Sequence, residues 1–159
     1  MSNRPADILF QLIRSLEKAE KRHFKLYIKR SSSNENLKII QLFDAIDKQH
    51  EYDEKALLKK LPAIQKTQLS NLKAHLYKQI LASLRLLKSA DSIDLQLNEQ
   101  FDYAHILYKK GLFLQSLRLL ERTKEIAKSH QKSHFLIQVI NLEKRIESLH
   151  ITRSMQDRA

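Results

Sequence analysis

Apolar residues recur along this chain at alternating spacings of three and four, the rhythm of helices that bury one face. The first such run is Leu9, Leu12, Leu16, Ala19, His23 and Leu26. It predicts one helix from about Pro5, well placed in a first helical turn with Asp7 nearby, to about Arg30, where Ser31-Ser32-Ser33-Asn34 ends it. Leu37, Ile40, Leu42, Phe43 and Ile46 predict a second helix, capped by Asn34 or Asn36 and ending near Gln49-His50. Asp53 caps a short third that stops at Leu61, because Pro62 pushes the residue before it out of helical geometry. A long fourth helix is expected from about Thr67 to Lys88, with Leu69, Leu72, Leu76, Ile80, Leu84 and Leu87 along one side. Apolar crowding from Ile80 to Leu87 predicts that it is central and touched on more than one face.

Ser89-Ala90-Asp91-Ser92 interrupts the pattern and predicts a boundary between a helical subdomain, 1–90, and a second one, 91–159. Beyond it the periodicity predicts a helix from about Asp94 to Lys110, capped by Ser89 or Asp91, then one from Leu112 to about Ser129 and one from about Ser133 to Thr152. With one glycine and two prolines in 159 residues, the turns that β and Rossmann-type folds require have almost nothing to form them. The fold class is therefore all-α, an antiparallel helical bundle or array, and 42% apolar residues are enough to build a core.

The single glycine, Gly111, sits in Tyr103-Ala104-His105-Ile106-Leu107-Tyr108-Lys109-Lys110-Gly111-Leu112-Phe113-Leu114-Gln115-Ser116-Leu117. Small residues let helices approach and aromatics fill the space beside the turn. Ala104, Tyr108, Gly111, Phe113 and Ser116, followed by apolar Leu117 and Leu120, stand at spacings that resemble the helix-turn-helix unit of the tetratricopeptide repeat family. The resemblance covers about residues 100–130. It departs from the family at Gln100, where a large apolar residue is usual, at Thr123, where a small alanine is usual, and in lacking the terminal proline. It implies a non-enzymatic adaptor or scaffold that holds a protein or peptide partner in a groove, with Tyr103, Leu107, Lys110 and Ser133 to Gln138 at groove positions. The helix from Ser133 resembles the first helix of another unit. About one and a half repeats are present, against the roughly three that a solenoid needs. The first subdomain would then serve as a cap, or the last helix would dock on another copy, or the chain would belong to a longer one.

Charge adds a second candidate surface. The net charge is +11, and it is uneven: 18 basic and 9 acidic residues up to Ala90 leave +9, against +2 after it. From Lys55 to Lys88 there are eight Lys or Arg and no acid, a segment that attracts an acidic partner. Arg14, Lys18, Lys21, Arg22, Lys25 and Lys29 would line one side of a continuous first helix. Such a stripe suits an anionic partner, and the alternative function is nucleic-acid binding through phosphates, extended by Lys73, Lys78 and Arg85. It is also what any amphipathic helix shows to water. No aromatic residue lies within it for stacking, so sequence-specific readout is not expected. The short helix, Pro62 turn and long helix have the outline of a DNA-binding helix-turn-helix, though the turn is long for one. A third reading makes the Leu9 to Leu26 seam a zipper between copies of a homo-oligomer.

Catalytic chemistry finds little to work with. No cysteine is present, which removes disulfides, thiolate metal sites and cysteine nucleophiles and suits a cytoplasmic location. One glycine cannot make a phosphate-binding loop. His130 and His134 have the spacing of two metal ligands but straddle a helix boundary and lack further ligands. Glu17 with Glu20, and Asp44 with Asp47, read as ordinary surface carboxylates. Neither catalytic residues, nor a cofactor, nor a metal is expected. No apolar stretch approaches a membrane span, and the N-terminal cluster is too short for a secretory signal.

Overall fold

The computed structural model describes residues 7–30 and 34–156. All regular structure among them is helical: α1 (Ile8–Ser15), α2 (Lys18–Lys29), α3 (Asn34–Asp47), α4 (Glu54–Lys60), α5 (Lys66–Lys88), α6 (Ile93–Lys109), α7 (Phe113–Ser129) and α8 (Ser133–Gln156). The all-α class expected from the sequence is the class observed. The chain forms two compact units, Met1–Leu87 and Lys88–Ala159.

In the first unit the expected continuous helix is broken, which corrects the reading of residues 8–30. Leu16 leaves helical geometry at ψ 134° and Glu17 follows at ψ 161°. The Glu17 backbone N–H donates to Glu20 Oε2 at 2.8 Å, the arrangement of a capping box that starts a new helix. Asp7 starts α1 in the same way, its carboxylate accepting from Phe10 N at 3.0 Å. Pro5, the expected first helical residue, lies outside the described residues, as do Ser31 to Ser33. The break rotates α2 relative to the extrapolated seam. Phe24 and Ile28 are buried, whereas Leu26 is 55% exposed. No continuous Leu9 to Leu26 zipper exists, because Leu9 and Leu16 are buried in the unit's own core.

That core joins Leu9 and Ile13 of α1 and Leu16 after it with Phe24 and Ile28 of α2, then Leu42, Phe43 and Ile46 of α3, Leu57 of α4, and Leu69, Leu72, Leu76 and Ile80 of α5. The Phe24 and Phe43 rings lie 4.8 Å apart at 39°, within the range where aromatic pairs add to area burial. The short helix forms as its cap and stop predict: Asp53 Oδ1 accepts from Lys55 N and Ala56 N, and Leu61 leaves helical geometry before Pro62. In α5 one face alone is buried, with Leu81 and Leu86 exposed, so the expectation of burial on more than one face is not met.

In the second unit α6, α7 and α8 begin 20 residues apart and fold back on one another in sequence. Leu97 shares a buried cluster with Ala127 and Phe135. Ala104, Leu120, Val139, Leu142 and Ile146 form the other, with Phe101, Tyr108, Phe113 and Leu117 packed against it. The cap of α6 is Ser92, accepting from Leu95 N, rather than Ser89 or Asp91.

Candidate functional site

The α6–α7 turn fixes the geometry of the second unit. Gly111 has φ +77°, its N–H donates to Tyr108 O at 2.9 Å, and Leu112 N donates to Leu107 O at 3.0 Å. These two bonds are a Schellman motif, closed by a residue in the left-handed region. The α7–α8 turn repeats it, with Gln131 N on Lys128 O at 3.0 Å and Lys132 N on Ala127 O at 2.8 Å. Here the left-handed residue is Gln131, φ 55°.

Close approach of α6 and α7 follows from two small residues. Ala104 and Ser116 are both fully buried, and Ser116 Oγ donates to Ala104 O at 2.7 Å. Around them run ring contacts of about 6 Å, from Phe101 to His105, His105 to Tyr108 and Tyr108 to Phe113. The five residues singled out around the turn thus occupy one packed hairpin. Charge ties α7 to α8: Lys124 Nζ lies 2.9 Å from Glu143 and 2.9 Å from Glu121. Hydrogen bonds to Glu121 and Glu143 raise the Lys124 pKa, and the bond from Lys124 lowers that of Glu121. Lys132 Nζ, 2.7 Å from Asp94, links the start of α8 to the first turn of α6.

Between α6 and α8 lies a cleft of about 290 Å³ lined by Phe101, His105, Gln138, Asn141, Leu142 and Arg145. Its floor is apolar, its edges carry amide, imidazole and guanidinium groups, and no carboxylate lines it. Of the groove positions expected from the sequence, only Gln138 is in the lining. Tyr103 is exposed and Lys110 is the C-cap of α6. A step of two residues turns a helix by about 200°, so 103 and 107 lie roughly opposite 101 and 105.

The basic stripe is divided. Arg14 is on α1, and Lys18, Lys21, Arg22, Lys25 and Lys29 are on α2. Lys21 Nζ is 2.6 Å from Asp47 and Lys25 Nζ is 2.6 Å from Asp44, both on α3. Lys73, expected to extend the surface, donates to Asp7 and, at 2.8 Å, to Tyr52 Oη. His23 Nδ1 shares a 2.8 Å hydrogen bond with buried Ser83. His130 caps the end of α7 while His134 is in α8, and no group of three metal-binding side chains exists among the described residues. No described helix is long and apolar enough to cross a membrane.

No protein-family model matches this chain, and no curated protein or solved structure is significantly similar to it. What the α6–α8 cleft offers is a concave strip with hydrogen-bonding side chains on both sides of an apolar floor, and no paired acid and base, nucleophile or metal set. Sequence periodicity identified the helices that build the cleft. It did not identify His105, Asn141 and Arg145, whose signal is the four-residue spacing of Phe101 and His105 on α6 and of Asn141 and Arg145 on α8.

Proposed function

We propose that the chain is a non-enzymatic helical protein-interaction module of the tetratricopeptide-like kind, receiving a peptide or helix of a partner between α6 and α8. The observation that carries this reading is the cleft itself, with Phe101 and Leu142 beneath His105, Gln138, Asn141 and Arg145. The resemblance around Gly111 supports it, since Ala104, Tyr108, Phe113 and Ser116 pack as a hairpin of small and aromatic residues. The helices are longer than the family's: starts 20 residues apart give a pair of about 40 residues rather than about 34. A cytoplasmic location accords with the absence of cysteine.

The test places a photo-crosslinking side chain at Gln138 or Asn141, and a control at Arg122 on the exposed side of α7. A partner segment trapped from 138 and 141 but not from 122 is then titrated calorimetrically against Arg145→Glu. Loss of about tenfold or more in affinity with unchanged thermal stability supports the reading. Equal trapping at all three positions, or unchanged affinity, rejects it.

One observation favours a second reading, phosphate binding by α2. Lys18, Arg22 and Lys29 are exposed, and their side chains make no ion pair or hydrogen bond among the described residues.

A further inference from the structure

The first unit contains a larger concavity of its own. A solvent-open cleft of about 460 Å³ lies between α3 and the segment where α4 gives way to α5. It exists because α4 is stopped short: Leu61 leaves helical geometry at φ −123°, ψ 68°, and Pro62 and Ala63 turn the chain before α5 begins. The floor consists of Ala45 from α3 with Leu61, Pro62 and Ala63.

Two ammonium groups stand over this floor. Lys48 and Lys60 line the cleft from its two walls and are exposed, and their ammonium groups have no ion pair or hydrogen bond among the described residues. The one carboxylate in the lining, Asp44, is already answered by Lys25 Nζ at 2.6 Å. The α4–α5 wall belongs to the stretch from Lys55 to Lys88 that holds eight cations and no acid, so positive potential is not cancelled from that side. An apolar depression between two unanswered cations calls for an occupant with an apolar centre and negative flanks.

We propose that this cleft binds an acidic peptide segment of a partner protein, seating one apolar side chain on Ala45, Leu61 and Ala63 while flanking carboxylates meet Lys48 and Lys60. A nucleic acid fits less well, because no aromatic side chain lines the cleft for base stacking. An acyl chain fits less well too, since lipid and small-molecule sites enclose most of their ligand and this one is open. The site is in a different unit from the α6–α8 cleft and stands independently of it.

The experiment is fluorescence anisotropy on the full chain at physiological salt, with a labelled peptide of one leucine flanked on both sides by glutamates. Its counterparts are the same peptide with serine for leucine and an oligothymidylate of equal charge. Lys48→Glu with Lys60→Glu should weaken the leucine peptide by about tenfold, the product of two exposed ion pairs. Ala63→Trp, which fills the floor from an exposed turn position, should weaken it by about fivefold, as should the serine peptide. Lys109→Glu with Lys144→Glu makes the same charge change at exposed positions that line neither cleft and should stay within about twofold. Circular dichroism of each variant checks its helices. The proposal is overturned if the leucine peptide does not bind. It is equally overturned if the serine peptide or oligothymidylate binds as well, or if the control reversal costs as much as the reversal in the cleft.

Discussion

Each turn of the second unit depends on one residue held in the left-handed region, and the two residues that do this differ in cost. Gly111 adopts φ +77° without penalty, and a Cβ built there would meet nothing within 4 Å. Gly111→Ala therefore adds backbone strain alone, about 1 kcal/mol of lost stability. Gln131 bears that strain already at φ 55°, so Gln131→Gly should raise stability by about 0.5–1 kcal/mol once the extra freedom of the unfolded glycine is counted. Urea denaturation of both variants checks the opposite signs; a destabilised Gln131→Gly would mean the glutamine side chain contributes more than its backbone costs. The first turn could be read from the sequence because glycine announces such a position. The second could not, since glutamine has no preference for it, and only the repeated spacing of the helices reveals the equivalence.

At the scale of elements, α1, α5 and the α3–α4 connection meet at Lys73. Its ammonium donates to Asp7 and Tyr52, lies 4.3 Å from the centre of the Tyr52 ring, and so fastens the N-terminus of α1 to the middle of α5. Burial pushes the Lys73 pKa down, but the hydrogen bonds to Asp7 and Tyr52 outweigh it and hold it above the ordinary 10.5. Burial raises Tyr52 above 10.0 despite the opposing pull of Lys73. Both folded pKa values exceed the unfolded ones, so the unfolded chain releases these protons first as pH rises. The stability they provide is complete below about pH 10 and is lost as pH climbs through the raised values. A series of urea midpoints from pH 9 upward should fall more steeply for the wild type than for Lys73→Met with Tyr52→Phe, and parallel curves would remove this cluster from the account. The sequence offered Lys73 only as an extension of the basic surface and could not supply its partners, which lie 66 and 21 residues away. It likewise missed the break at Leu16, because Glu17 and Glu20 look like any surface carboxylates until the chain between them turns. The helices from α4 onward were readable from the Asp53 cap, a proline and unbroken apolar periodicity. The cleft between α6 and α8 was not, as its lining was set two residues out of phase.

For the molecule as a whole, the distribution of committed and uncommitted charge decides what its basic half can bind. Of the six cations assigned to the stripe, Lys21 and Lys25 neutralise Asp47 and Asp44, leaving Lys18, Arg22 and Lys29 as the exposed set on α2. If this surface binds phosphates, each of the three releases condensed counterions, and the logarithmic salt slope for duplex DNA should flatten by about 2.7 in Lys18→Gln with Arg22→Gln and Lys29→Gln. Lys21→Gln with Lys25→Gln should leave that slope nearly unchanged while lowering stability, because it strips two part-buried aspartates of their partners. Anisotropy of labelled duplex across about 50 to 200 mM salt separates the two variants. A flattened slope in the second variant but not the first would show that DNA recruits the lysines α3 now holds. Slopes unchanged in both would leave α2 a hydrated face.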